Sequence, residues 1–151
     1  MLTVAALALV SAQARAVFVV AEPWLRPAPA AQATEAYMRL MSSDGATLIG
    51  VRSPIAGSVA LLGTGGKRTS PMALPLPAGD TVVLAPGKFR IQLGKLSRTL
   101  RVGDRVPLTL VVREVTGAPL EIDIDAEVRL RSAIDDHLRP HTHAARRDQV
   151  P

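Results

Sequence analysis

The chain of 151 residues contains no cysteine. A disulfide framework and a thiolate metal site are therefore both excluded. Aromatic residues are scarce as well, with one Trp, one Tyr and two Phe, which leaves few rings on which nucleic-acid bases could stack. No apolar run reaches the roughly 20 residues that a membrane-spanning helix needs, so we expect no membrane span.

Histidine is confined to the carboxy-terminal end of the chain, where His137, His141 and His143 are the three that it has. A Ser-His-Asp or paired-acid mechanism needs a base that is held rigidly beside its partner. No Gly-rich phosphate loop follows a predicted strand and opens a helix. The sequence therefore predicts that the protein is not an enzyme.

Residues 1–16 have two features of a secretory signal peptide. An apolar run over 1–10 is followed by small residues, with cleavage plausible after Ala14 or Ala16. No Lys or Arg precedes the run, and the alternative is a first β-strand or a short buried segment. We predict a signal peptide at 1–16, a single domain at 17–130 and a flexible, His-containing tail at 131–151.

Basic residues outnumber acidic ones, with 18 Lys and Arg against 13 Asp and Glu. Such an excess can mark a surface that binds nucleic acid or an anionic membrane. The basic residues are scattered through strands and turns, however, and do not form one long run. A solvated surface is therefore the favoured interpretation, and no nucleic-acid partner is predicted.

Short segments rich in apolar and β-branched residues alternate with turn sequences along most of the chain. In 120–128 the odd positions carry carboxylates and the even positions are apolar, which predicts a strand with one buried face. The residue types at 42–45 predict a hairpin-type turn. These patterns predict a single all-β sandwich or barrel, with strands at 35–41, 47–52, 58–62, 81–84, 89–93, 106–112 and 120–128.

Two stretches of the chain are rich in proline. The prolines of residues 23–31 exclude a helix interior and favour an edge strand followed by a loop. Residues 63–79 are crowded with Gly and Pro, which predicts a long irregular connection. That connection contains Met72, and loops of this length in small β-domains are often functional.

Six short motifs occur in order along residues 19–128, namely EPWLRP at 22–27, AYM at 36–38, SP at 53–54, LPAG at 76–79, LAPG at 84–87 and LRVGDRVPLTL at 100–110. Their order and spacing resemble those of the PCuAC family of periplasmic copper chaperones. The resemblance implies a cupredoxin-like β-sandwich, a periplasmic location and copper as cargo. It also implies delivery to cytochrome oxidase, alone or with a thioredoxin-like copper chaperone.

The same resemblance places the family's copper ligands on residues of this chain. The family binds Cu(I) with a His and a Met in mid-domain and a His-x-Met pair on a later strand. Here the first His falls on Leu62, and the pair falls on Arg90 and Gln92. Arginine keeps its proton and cannot ligate, which leaves Met72 as the remaining counterpart. The resemblance therefore implies a domain that has largely lost its Cu(I) site.

Alternatives remain open at each of these positions. Met72 is either a thioether ligand or a flexible apolar filler, and Arg90 and Gln92 are expected on a solvated strand face. The spacing of His141 and His143 would let a mobile tail bring two rings to one ion. We predict copper, as Cu(I) or Cu(II), at Met72, His137, His141 and His143. The alternative is an interaction or structural module that binds no metal.

Overall fold

The computed structural model describes residues 16–131, which form one curled sheet of ten strands and a short 3₁₀ turn at Thr64–Gly66. None of these residues forms a helix long and apolar enough to cross a membrane. The predicted all-β, single-domain fold is confirmed. The strands are β1 (Phe18–Leu25), β2 (Thr34–Ser42), β3 (Ala46–Arg52), β4 (Ala56–Leu62), β5 (Arg68–Thr69), β6 (Leu74–Leu76), β7 (Thr81–Leu84), β8 (Arg90–Leu96), β9 (Arg105–Glu114) and β10 (Pro119–Val128).

The strand order along the sheet is β5-β4-β8-β2-β1-β10-β9-β3-β6, and β7 pairs with β2 beside β8. Every pairing is antiparallel except that of β1 with β10, which is parallel. The sheet curls around one apolar core. Strict alternation decides which side chains enter it, so that Ala36, Met38 and Leu40 of β2 are buried inside.

The turn at 42–45 is present, but it is not a hairpin. β2 pairs with β1, β7 and β8, whereas β3 pairs with β6 and β9. The turn therefore carries the chain from one side of the curled sheet to the other. Gly45 adopts a φ of +86° there, a conformation that glycine reaches without a steric penalty.

The prediction of an edge strand around Pro23 is wrong. β1 lies inside the sheet between β2 and β10. The sheet accommodates Pro23 through a register shift between Ala21 and Trp24, next to Glu22 with its φ of +51°. A bulge of this kind frees the position that lacks an N–H from the hydrogen-bond ladder.

Three smaller predictions also need correction. Residues 63–79 are not wholly irregular, because they contain β5 and β6. Phe89 precedes β8 and is partly exposed, so the buried alternation of that strand begins at Ile91. Leu120 lies near the start of β10 and is 41% exposed, whereas Ala126 and Val128 are buried as predicted.

Candidate functional site

A second group of packed side chains lies on the outer face of the sheet, opposite the core. Tyr37 alternates with the core residues Ala36 and Met38 and therefore points outward, yet it is almost fully buried. Its neighbours on this face include ring and charged side chains of β1, β2 and β8. We call Trp24, Arg26, Glu35, Tyr37 and Arg90 the outer-face cluster.

Glu35 and Arg90 form the polar centre of the outer-face cluster. The Nε of Arg90 donates to Oε1 of Glu35 at 2.7 Å, and their side chains are only 16% and 27% exposed. Arg90 also donates to the carbonyl oxygens of Lys88 at 3.2 Å and Gly63 at 3.4 Å. The expectation that Arg90 lies on a solvated strand face is therefore wrong.

Tyr37 connects this ion pair to the aromatic part of the cluster. Its hydroxyl donates to Oε2 of Glu35, so both carboxylate oxygens of Glu35 are engaged. The Tyr37 ring packs against Trp24 with 4.5 Å between ring centroids. The guanidinium carbon of Arg26 lies 5.5 Å from the Tyr37 ring centroid, within the range of a cation–π interaction.

These contacts change the acidity of two groups in opposite directions. Partial burial acts to raise the pKa of Glu35, but hydrogen bonds from Tyr37 and Arg90 and the positive charges of Arg90 and Arg26 outweigh it. The pKa of Glu35 therefore lies below its usual value. Burial and the hydrogen bond and negative charge of Glu35 raise the pKa of Tyr37 far above its usual value of 10.0. Glu35 is thus held ionised and Tyr37 protonated.

Three of the four positions that the resemblance assigns to copper ligands lie close together here. Leu62 of β4 and Arg90 of β8 are direct cross-strand partners, so their side chains share one face of the sheet. Gln92 lies between Ala60 of β4 and Glu35 of β2 in the same way. The strand framework juxtaposes these positions, with an apolar, a cationic and an amide side chain in them.

The other predicted ligands lie elsewhere. Met72 sits between β5 and β6, partly buried, and packs against the core. His137, His141 and His143 lie outside the described residues. Within residues 16–131 there is no His and no Cys, and this range holds no group of three or more His, Cys, Asp or Glu side chains that could hold a metal ion.

Glu35 was not singled out by the sequence, and Tyr37 appeared there only within the AYM motif at 36–38. Both lie in a segment that was correctly predicted as a strand, and their spacing of two residues places them on one face. A carboxylate and a hydroxyl group two residues apart, on the strand face opposite the core, would have indicated a polar site on that face. The partner Arg90 lies 55 residues away, and only strand pairing brings it close.

Comparison with known proteins gives one matching sequence family. The family described as "Putative lipoprotein LpqE-like" matches residues 18–126. No curated protein matches the chain.

Several solved structures are similar to this fold. The copper-bound PCuAC domain from PmoF2 is 31% identical, with a TM-score of 0.62 over 74% of this chain and 92% of that domain. The apo PCuAC domain from PmoF1 is 27% identical, with a TM-score of 0.63 and the same coverage of both chains. Cu(I)-bound DR1885 from Deinococcus radiodurans is 29% identical, with a TM-score of 0.58 over 80% of this chain and 83% of that one.

Proposed function

Because this chain belongs to the LpqE-like family of lipoproteins and is similar to copper-binding PCuAC domains, we propose that it is an exported, copper chaperone-like protein. Its location is the periplasm, with residues 1–16 as the leader. It transfers an ion between partners, with cytochrome oxidase as the recipient and a thioredoxin-like chaperone as an accessory partner. It is a carrier and not an enzyme.

The proposal includes the loss of the usual Cu(I) site from the domain. The observation that carries it is the Glu35–Arg90 ion pair, which stands where the resemblance places the first residue of a His-x-Met pair. A guanidinium has no free lone pair to give to a metal, and its charge repels a cation. Leu62 and Gln92 supply neither imidazole nor thioether beside it.

Copper is then held by donors outside the strand framework. His137, His141 and His143 supply three imidazoles within seven residues, and imidazole ligates both Cu(II) and, more weakly than a mixed sulfur set, Cu(I). Met72 is the remaining soft donor of the predicted set. A single thioether does not make a site, so the imidazoles carry most of the affinity.

Competition titration of the protein tests this arrangement. Cu(I) is titrated against a chromophoric chelator, and Cu(II) is titrated separately, for the unmodified chain, for H137A/H141A/H143A and for Met72→Leu. We expect micromolar or tighter uptake that is lost in the triple variant and changes less than about three-fold in the methionine variant. Tight Cu(I) binding that survives in the triple variant would show that the domain has kept a site.

A second candidate function is an interaction or structural module that binds no metal. The observation that favours it is the completeness of the outer-face cluster, in which both Glu35 oxygens already have partners. Because both oxygens of Glu35 are already hydrogen-bonded within the protein, the outer-face cluster is stable without a metal ion. Absence of Cu(I) and Cu(II) uptake by the unmodified chain at micromolar concentration selects this candidate over the carrier.

A further inference from the structure

Five arginines that are separated in the sequence meet at one end of the domain. Arg98, Arg101 and Arg105 lie in or next to the connection from β8 to β9, and Arg129 and Arg131 follow β10. We call these five side chains the basic end.

Two backbone hydrogen bonds join the segments that carry them. The N–H of Gly103 donates to the carbonyl of Val128 at 2.9 Å, and the N–H of Val128 donates to the carbonyl of Asp104 at 2.8 Å. The turn of one segment is thereby fixed against the end of the other. This pairing brings together arginines that look scattered when the sequence is read alone.

The positive charge of the basic end is only partly compensated. Asp104 pairs with Arg98 at 3.0 Å, and Glu127 pairs with Arg129. Among the residues that the structure describes, neither Arg101 nor Arg131 has an acidic partner within 4.0 Å. Glu22 also acts on Arg129 through its charge, so five arginines face three carboxylates and the net charge of this surface is +2.

Two aliphatic side chains stand among the arginines. Val102 is 59% exposed and Leu130 is 71% exposed. Each is a direct sequence neighbour of arginine, and the hydrogen bonds to Val128 place both at the same end of the domain. Exposed aliphatics next to free guanidinium groups are the pattern of a surface that meets lipid headgroups and the outermost acyl carbons.

The surface is held on a rigid base. Leu100, between the arginines of the first segment, is buried in the core. Its N–H donates to the carbonyl of Ala28 at 2.8 Å, and its carbonyl accepts from the N–H of Ala28 at 3.2 Å. The segment is therefore preformed and pays little ordering entropy on binding.

We propose that the basic end binds the surface of an anionic membrane, a role separate from that of copper handling. The guanidinium groups donate to lipid phosphates, and Val102 and Leu130 enter the interfacial layer. A nucleic-acid ligand fits less well, because neither arginine-bearing segment contains an aromatic side chain for base stacking.

Vesicle flotation tests the proposal. The full chain is mixed with vesicles of phosphatidylcholine alone or with about 30% phosphatidylglycerol, at low and at physiological salt. The test variant R101E/R131E reverses two charges of the basic end, and R39E/R113E reverses two exposed charges elsewhere as a matched control. Near-UV circular dichroism confirms that each variant is folded.

We expect binding to anionic vesicles only, weakened by salt. Since each basic residue near such a surface contributes roughly five-fold in binding, R101E/R131E should lower partitioning more than 25-fold. The control should lower partitioning less than about five-fold, and V102S/L130S should reduce partitioning without changing its salt dependence.

The proposal is overturned by equal loss of partitioning in both charge variants or by no binding to anionic vesicles at low salt. It is also overturned if the protein binds a single-stranded oligonucleotide through Arg101 and Arg131 and does not bind the vesicles.

Discussion

Glu35 shows how one carboxylate can organise a surface that the sequence leaves unremarked. Its two oxygens are shared between the Tyr37 hydroxyl and the Arg90 Nε. If the carboxylate were neutral, Arg90 would remain mostly buried without a counter-ion. Removing one partner of such a pair lowers stability by more than the pair itself contributes. Glu35 therefore stabilises the outer face mainly by keeping Arg90 from being an unpaired charge.

Replacing Glu35 by Gln should lower the free energy of unfolding by about 1–3 kcal/mol, a range reduced from that of fully buried pairs because both side chains retain some exposure. The matched control is Glu121→Gln, which breaks the well-exposed Arg52–Glu121 pair. An exposed pair contributes about 0–1 kcal/mol. Urea denaturation at pH 7 measures both variants, and equal losses would contradict the role given to Glu35.

The contribution of Glu35 to the free energy of unfolding should also depend on pH. Its pKa is lowered in the folded state from a reference of 4.5, so the stabilisation is present above about pH 5 and is lost as the pH falls through the lowered pKa. The difference in unfolding free energy between the unmodified chain and Glu35→Gln should therefore be constant above about pH 5 and shrink as the pH falls below it. A constant difference would argue that Glu35 acts by packing alone.

Tyr37 is the one tyrosine of the chain, so tyrosinate absorbance at 295 nm reports on it without interference from other tyrosines. Because its pKa is raised in the folded state, we expect no ionisation of the folded protein at about pH 10–11, where a free tyrosine titrates. In urea the same group should titrate near pH 10. Normal titration of the folded protein would mean that the hydroxyl is not held by Glu35.

At the scale of elements, long strands with regular alternation were predictable and short ones were not. β2, β9 and β10 each bury every second side chain, at least over part of their length, and the sequence displays that period directly. β5 and β6 have two and three residues, too few to show a period, and they exist because neighbouring strands pair with them. The position of β1 inside the sheet was not predicted, because a proline such as Pro23 favours an edge strand. The bulge between Ala21 and Trp24 takes Pro23 out of the hydrogen-bond ladder, so that an inner strand can contain it.

The candidate site also contains a part that the sequence predicts and a part that it does not. The resemblance assigned ligand positions to Leu62, Arg90 and Gln92, and the register of β4 with β8 places these residues together. The ion pair with Glu35 depends on β2 lying beside β8. A contact between two strands that are far apart in sequence cannot be derived from local pattern, because many pairings are compatible with the same alternation.

β2 is the strand with partners on both edges over nearly its whole length, and this should make it sensitive to cavities. Leu40→Ala removes a fully buried side chain of β2 and should lower the free energy of unfolding by about 2–5 kcal/mol. Leu120→Ala, at a partly exposed position of β10, should cost less than about 1 kcal/mol. Chemical denaturation of both variants is the measurement, and similar losses of unfolding free energy would contradict the burial of Leu40 and the exposure of Leu120.

At the scale of the whole molecule, one sheet lies between the core and the outer-face cluster, so that the two should unfold together. The single Trp24 belongs to the outer-face cluster, whereas far-ultraviolet circular dichroism reports the strands. We expect the urea transitions from fluorescence and from dichroism to coincide within about 0.2 M, as for a two-state domain. An earlier fluorescence transition would make the cluster a separately unfolding unit.

The two ends of the strand order carry a consequence for behaviour in concentrated solution. β5 offers two residues to an incoming strand, and β6 offers three with Pro75 in the middle, where no N–H is available. These two strands thus give a neighbouring molecule almost no template for extending the sheet, whereas among residues 16–131 β4 has no partner on one edge over 56–60 and β7 pairs with β2 alone. Extension of the native sheet across a molecular boundary should accordingly use β4 or β7 and not the two short strands at the ends of the strand order.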